Sequence, residues 1–348
     1  MPATTRPDRR RVLVTAPNQV EVVTEPLPDM VSNEALVRLL ACGVCGSDRA
    51  GVQGEHAFVK PPYYPGHEAV GEVVALGSPV DGLSVGDMVV VQPTLSCGRC
   101  KMCRIGRDNL CDNLEFFGCG YREGGMADIF SVPAGQLYKV PGRLTPEQAA
   151  LIEPLATPLH AVRLTGDLRG KAVAVFGAGT IGLLTLLAAK RAGAGRVVCT
   201  DLLASKRRLA LDLGADAVVG SGDDGVAEAV RDELGESGDA VFDCVATQET
   251  LADAIKVATK GGTVTVVGGG RRPVTIDLPV LQEFQVRLQG SATYTREDFA
   301  TATEMLSAPD FDASRFVTAV YPLARAAEAF QAILSGREVK VLVVPSDR

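Results

Sequence analysis

The sequence predicts two units: an all-β stretch of small strands over residues 1–157, then an α/β unit built on a doubly wound parallel sheet. Three observations carry this. Short apolar runs punctuated by Gly and Pro fill the chain from Arg11 to about Leu155. Strands and helices alternate regularly after Pro158, the pattern of parallel strands with helices on both faces. Between one such strand and helix lies Gly177-Ala178-Gly179-Thr180-Ile181-Gly182, a turn that brings backbone close to a ligand. At 348 residues the chain exceeds one compact core and suits two domains.

In the first unit, Val70 to Leu76 and Met88 to Val91 are apolar runs bounded by turn signals, and a cysteine-rich lobe over residues 93–113 interrupts the strands. In the second, over residues 158–291, the alternation runs through these expected elements: strand Lys171 to Phe176, helix Thr180 to Ala192, strand Arg196 to Thr200, helix Ala204 to Leu213 and strand Ala217 to Val219. Helix Val226 to Leu234, strand Ala240 to Cys244, helix Glu249 to Ala258, strand Thr263 to Val267 and strand Val286 to Leu288 follow. Residues 292–348 carry amphipathic helices, Arg296 to Leu306 and Ala324 to Leu334, and a last strand, Val339 to Val344.

Composition excludes several classes. Hydrophobic content of 46% and charged content of 22% are those of a globular protein. A net charge of −7 argues against a nucleic-acid partner, since phosphate neutralisation needs a basic face. The apolar stretch Ala172 to Ala189 approaches membrane-span length, but glycines and threonines interrupt it and a nucleotide-binding turn explains it better. Met1 to Arg11 is polar and basic and reads as a frayed tail with no apolar run of a signal peptide. Nine cysteines, an odd number in a long chain, point to a reducing cytoplasm rather than a disulfide framework.

Four of those cysteines, Cys97, Cys100, Cys103 and Cys111, fall within fifteen residues at C-x2-C-x2-C-x7-C spacing. Zinc takes soft ligands at tetrahedral corners about 2.3 Å away, and short C-x2-C turns point thiolates the same way. Four protein thiolates leave no open position, so this site is expected to be structural. A second set is spread out: Cys45 with Ser47 and Asp48, then His67 with Glu68, and later Glu153 before Pro154. Thiolate, imidazole and carboxylates together make the mixed ligation of a catalytic zinc, which keeps one position open. The remaining histidines, His56 and His160, read as structural.

The Gly-rich turn has its own chemistry. Gly177 permits the tight turn, Gly179 the close approach to a pyrophosphate, and Gly182 the packing of helix on strand. The helix opening at Thr180 and Ile181 offers unpaired N–H groups and a positive dipole end to phosphates. Asp201 ends the next strand, nineteen residues after Gly182, where a carboxylate accepts from both ribose hydroxyls and repels a 2′-phosphate. That favours NAD over NADP. Lys206, Arg207 and Arg208 nearby temper the preference, with one of them reaching the ribose or phosphate edge.

In this order, the Cys45 motif, Gly66-His67-Glu68, the four-cysteine lobe and Gly177 to Gly182 resemble the zinc-dependent medium-chain alcohol dehydrogenases, nearest the sorbitol, threonine and butanediol dehydrogenase branch. The resemblance covers nearly the whole chain. It implies a GroES-like catalytic domain with a structural-zinc lobe, a Rossmann nucleotide-binding domain, and a C-terminal return to the catalytic domain. It implies two zinc ions per chain and NAD, with Val245, Val267 and Gly268 joining the cofactor site. Cys45 and His67 would bind the catalytic zinc, with Glu153 where other branches place a second cysteine, and Glu68 exchanging with water. Asp48 would orient His67, and Ser47 would take the proton of the alcohol.

Two departures bear on substrate. Ala50 stands where many relatives carry a histidine that ends the proton relay, and Ala292-Thr293-Tyr294 lacks the arginine of the polyol enzymes. The expected reaction is the NAD-dependent interconversion of a secondary alcohol and its ketone, in a pocket drawing on Ser47, His56, Phe117 and Tyr294. The expected assembly is a homotetramer, with a dimer second, and the partner a small molecule, neither nucleic acid nor membrane. The rival readings are a zinc-free quinone or enoyl reductase on the same scaffold and a non-enzymatic zinc-lobe interaction protein.

Overall fold

The computed structural model describes residues 7–222, 224–269, 272–309 and 311–346. Contacts divide the chain into unit one, Met1–Glu153 with Phe299–Arg348, and unit two, Pro154–Asp298.

Unit one opens with β1 (Asp8–Ala16) and β2 (Gln19–Pro26), an antiparallel pair. This corrects the expectation of a frayed N-terminus from Asp8 onward; the earlier part, residues 1–6, lies outside the described residues. The basic run misleads because Arg9 and Arg11 are buried with partners. Arg9 donates to Glu123 and Glu25, and Arg11 donates to Glu25 while its guanidinium lies 3.2 Å from the centre of the Tyr64 ring. Two buried cations against two carboxylates satisfy each other where a lone one could not.

Next come β3 (Glu34–Val44), α1 (Gly46–Val52), β4 (Glu68–Leu76), β5 (Met88–Val91), β6 (Thr94–Leu95) and the short α2 (Lys101–Arg104). β7 (Glu115–Phe116), β8 (Ile129–Pro133), β9 (Leu137–Lys139) and α3 (Pro146–Ala149) complete the run. β6 and β7 pair with each other and bracket the cysteine lobe.

The chain passes into unit two inside α4 (Ile152–Thr165). The sequence reading placed the end of the first domain at residue 157. The helix instead runs through Pro158, and only one backbone bond, to the carbonyl four residues back, is forgone. Unit two alternates β10 (Ala172–Phe176), α5 (Thr180–Arg191), β11 (Arg196–Asp201), α6 (Ala204–Asp212), β12 (Ala217–Gly220) and α7 (Val226–Leu234). It continues with β13 (Gly238–Asp243), α8 (Gln248–Val257), β14 (Ala258–Val266), α9 (Leu278–Phe284) and β15 (Arg287–Gly290). The sheet is parallel, in the order β12-β11-β10-β13-β14-β15. The order reverses direction at β10, which therefore lies mid-sheet and is buried along its whole length.

The chain returns to unit one within α10 (Arg296–Leu306), later than the residue 292 expected, and adds β16 (Val317–Pro322), α11 (Ala326–Leu334) and β17 (Lys340–Val344). β17 inserts between β16 and β3, giving the order β16-β17-β3-β4-β5-β9, with β8 also on β3. The core of unit one, including Val37, Leu39, Phe130, Phe330, Val341 and Val343, thus draws on both ends of the chain. That of unit two centres on Phe176, Val198, Val241 and Val264. Among the described residues no helix is long and apolar enough to cross a membrane.

Candidate metal centres and nucleotide site

The sulfurs of Cys97, Cys100, Cys103 and Cys111 converge within 4.8 Å of one another. The Cys100 sulfur lies 3.4 Å from that of Cys103 and 3.9 Å from that of Cys111. Sulfurs at tetrahedral corners 2.3 Å from zinc stand about 3.8 Å apart, so the lobe has the dimensions of a zinc–thiolate site. Backbone N–H groups already aim at the sulfurs: Cys97 N–H at Cys111, Asn113 N–H at Cys111, and Cys103 N–H at Cys100. The N–H groups of Arg99 and Cys100 pull the Cys97 thiol down to about 6, favouring the thiolate a metal needs. All nine cysteines are free thiols. These residues fit a structural zinc.

The second cluster joins Cys45, His67 and Glu68, also within 4.8 Å. Cys45 stands just before α1, and its N–H donates to Asp48 Oδ2 at 2.9 Å. His67 and Glu68 enter at the start of β4, paired with the end of β3 that leads into Cys45. His67 Nδ1 lies 3.8 Å from Asp48 Oδ1, beyond hydrogen-bond length, and both atoms are buried with no hydrogen-bond partner among the described residues. Two buried polar atoms left facing each other are what a small shift of the ring on metal binding would satisfy.

The field around them is negative. Burial alone would lower the His67 pKa, yet Asp48 and then Cys45 outweigh it, and the imidazole stays protonated well above its ordinary value. Asp48 itself is raised by burial, against the pull of His67. A site that holds a proton this firmly also suits a divalent cation, whose binding releases that proton.

Glu153 is buried in the first turn of α4, just before Pro154. It stands outside the three-residue cluster but acts electrostatically on His67 and on Lys340. Ser47 follows within α1, partly exposed, and Ala50 is buried. His56 accepts from the N–H groups of Phe58 and Val59, which fastens its own loop. Phe117, expected on a substrate pocket, is packed into the core of unit one, with ring centres 5.6 Å from Phe130. Tyr294 is buried in unit two.

Sequence reasoning passed over Lys340. This lysine is 1% exposed and lies 2.7 Å from both oxygens of Glu68, itself 0% exposed. The signal was present as a single charge inside the apolar run Val339 to Val344. His160, read as structural, is buried against Asp298, which also accepts from Arg163 and from Thr295.

In unit two the turn after β10 carries the predicted glycines. Gly177 has φ +90°, and Gly182 lies so close to the Gly177 carbonyl that a Cβ would sit 1.7 Å from its oxygen. No larger residue fits there. Asp201 closes β11 with both oxygens engaged, Oδ2 accepting from Ala178 N–H and Oδ1 from Leu203 N–H, each at 2.9 Å. It therefore ties the Gly-rich turn to the end of the adjacent strand. Arg207 donates to the carbonyls of Asp201 and Leu202, while Lys206 lies beside it on α6. Val245 and Val267 follow the ends of β13 and β14, and Asp243 accepts from the N–H groups of Val245, Val267 and Gly268 by its side chain or carbonyl. The turn residues Thr180, Ile181 and Gly182 open α5 as expected.

Comparison with known proteins agrees with this geometry. Residues 31–142 match the alcohol dehydrogenase GroES-like domain and residues 180–308 the zinc-binding dehydrogenase domain. The chain is 34% identical to sorbitol dehydrogenase of Ovis aries over 97% of each chain, and 30% identical to that of Bacillus subtilis strain 168 over 94% and 95%. Among solved structures, a zinc-binding dehydrogenase of Sinorhizobium meliloti 1021 bound to NADP has a TM-score of 0.91 at 34% identity, covering 98% of this chain and 100% of its own. The 2R,3R-butanediol dehydrogenase of Bacillus subtilis has a TM-score of 0.88 at 28% identity, covering 97% and 99%.

The two candidate metal clusters and the Gly-rich turn thus stand on an oxidoreductase scaffold, a GroES-like unit joined to a Rossmann sheet. This chain belongs to the zinc-dependent medium-chain alcohol dehydrogenase family. It is an NAD(P)-dependent oxidoreductase of small alcohols and their carbonyl counterparts.

Proposed function

We propose that the protein oxidises a secondary alcohol, of the polyol, cyclitol or diol type, to the ketone with NAD, and runs the reverse reaction. The observation that carries the reading is the convergence of Cys45, His67 and Glu68 in one buried cluster, separate from the four-cysteine lobe. Cys45 and His67 would hold the catalytic zinc, with Glu68 or Glu153 contributing carboxylate, and Cys97, Cys100, Cys103 and Cys111 a second, structural ion. Sorbitol and butanediol dehydrogenases among the similar proteins support this substrate class.

When bound, zinc supplies Lewis acidity toward the alcohol oxygen and the nicotinamide accepts hydride. The chain's own residues do the rest. Ser47 takes the hydroxyl proton, and with Ala50 in place of a relay histidine that proton leaves through water or the cofactor ribose. Asp48 fixes the orientation of the His67 ring. The turn at Gly177, Gly179 and Gly182 admits the diphosphate to the N-terminus of α5, and Val245, Val267 and Gly268 line the nicotinamide side. Asp201 holds the adenosine ribose and disfavours a 2′-phosphate, with Lys206 at the same edge.

Unit one is then the catalytic domain and unit two the NAD domain. The nine free thiols suit a reducing cytoplasm. Metal analysis together with NADH absorbance over a panel of secondary alcohols, polyols, inositols and threonine tests the reading. Two zinc ions per chain and NAD-linked turnover of a polyol or diol are expected. One ion or none, or reduction of quinones and enones alone, overturns it.

A further inference from the structure

We infer that Lys340 is a positioning residue for the metal centre: it grips the Glu68 carboxylate and keeps it from closing the coordination position that the alcohol takes. The inference rests on the reading of Cys45 and His67 as ligands of the catalytic zinc.

The sheet register sets it up. On β17, Leu342 stands opposite Gly43 of β3, and Gly43 stands opposite Glu68 of β4. Lys340 lies two residues before Leu342 and so on the same face of the sheet. Gly43 lacks the side chain that would separate them: a Cβ there would sit 1.7 Å from Glu68 Oε2. The carboxylate occupies that space, and the Lys340 ammonium meets both its oxygens at 2.7 Å. Both side chains are withdrawn from solvent, at 2% and 0% exposure. Yet a Glu68 oxygen also lies within 4.8 Å of the Cys45 sulfur and the His67 ring nitrogen. One buried carboxylate thus stands between two cation sites.

The consequence follows from the cost of burying an unpaired charge. With Lys340 in place, Glu68 is neutralised without the metal and can yield the fourth position to substrate. Without it, the carboxylate's remaining cationic partner is the metal, and ligation relieves the uncompensated charge. Lys340→Met should therefore tighten metal binding while slowing catalysis. A merely structural lysine predicts the opposite, since disturbing the surroundings of a metal site ordinarily weakens binding.

The test is the rate at which the holoenzyme loses its catalytic zinc to a chelator, measured with turnover and with the visible spectrum of the cobalt(II)-substituted protein. Lys340→Met is expected to lose zinc about tenfold more slowly, with turnover down by about tenfold or more and a shifted cobalt spectrum. Adding Glu68→Gln to Lys340→Met should abolish the slowing. Zinc loss at the wild-type rate, or faster, overturns the inference. Should Lys340→Met fail to fold, Glu68→Gln is compared with Glu68→Gln/Lys340→Met. Equal zinc-loss rates mean that Lys340 acts through Glu68, and unequal rates overturn the inference. A wild-type protein with one zinc per chain would instead refute the underlying catalytic site, a result separate from either.

Discussion

On the proposed reading, cofactor choice turns on Asp201. Both its oxygens accept backbone N–H groups of the surrounding turns, so the carboxylate is held in place before any nucleotide arrives. Asp201→Ser is expected to weaken NAD by roughly tenfold or more while leaving NADP little changed or improved, because a ribose acceptor and a repulsive charge go together. Dissociation constants for the two nucleotides decide it, and a wild-type preference for NADP would sink the argument. Glu153 tests the other centre. Its charge reaches His67 and Lys340 without joining the three-residue cluster. Glu153→Ala is expected to lower catalytic-zinc occupancy and turnover while the structural zinc and NAD binding persist. Two zinc ions and a near wild-type rate in the mutant would leave Glu153 a purely structural part of α4.

At the scale of elements, the four-cysteine lobe is a loop between β6 and β7 held by its own sulfurs. Cys100→Ser should lower the melting temperature and release one zinc without a selective loss of turnover, since metal binding there is part of folding. Thermal unfolding with metal analysis on the same sample checks this. The network between α4 and α10 gives a pH signature. Burial alone would raise the Asp298 carboxyl, but hydrogen bonds from His160, Arg163 and Thr295 outweigh it and hold the carboxyl below the ordinary value of 3.8. A depressed folded-state pKa stabilises above the unfolded value, and the gain is lost as pH falls through the folded one. Asp298→Asn should therefore cost on the order of 2–3 kcal/mol near pH 7, with the difference from wild type shrinking as pH drops below about 4. Denaturant unfolding at several pH values measures it, and a gap independent of pH would contradict the account.

For the whole molecule, β15 closes the parallel sheet at one edge, with β14 its neighbour in the strand order. An open edge invites pairing, and a two-fold axis there would extend the sheet into a second copy. A tetramer is expected by light scattering, with a dimer second, and Gly290→Pro should weaken assembly by removing an edge donor, since the alternate residues of this strand turn their N–H groups toward β14. A monomer at micromolar concentration would remove the idea.

Much of this was legible along the chain, because it is encoded locally. The Cys97 to Cys111 spacing dictates a thiolate pocket within one loop, and Gly177 to Gly182 dictates a turn between consecutive elements. Alternation of apolar runs marked β10 through β15 with boundaries shifted by a few residues, the largest shift being the start of β14. What the pattern misjudged depended on partners elsewhere. Arg9 and Arg11 of β1 read as part of a solvated tail because one of the two carboxylates that pair with them, Glu123, lies more than a hundred residues on.

The sequence by itself determined the family, the Gly-rich turn and the residue types of the two candidate metal clusters, since each is a matter of residue type along the chain. Only the tertiary structure decided that Lys340 grips Glu68 across 272 residues. That contact depends on β17 docking beside β3 in one register, with a glycine between the two charges, and a register is set by the packed sheet rather than by any local run of residues.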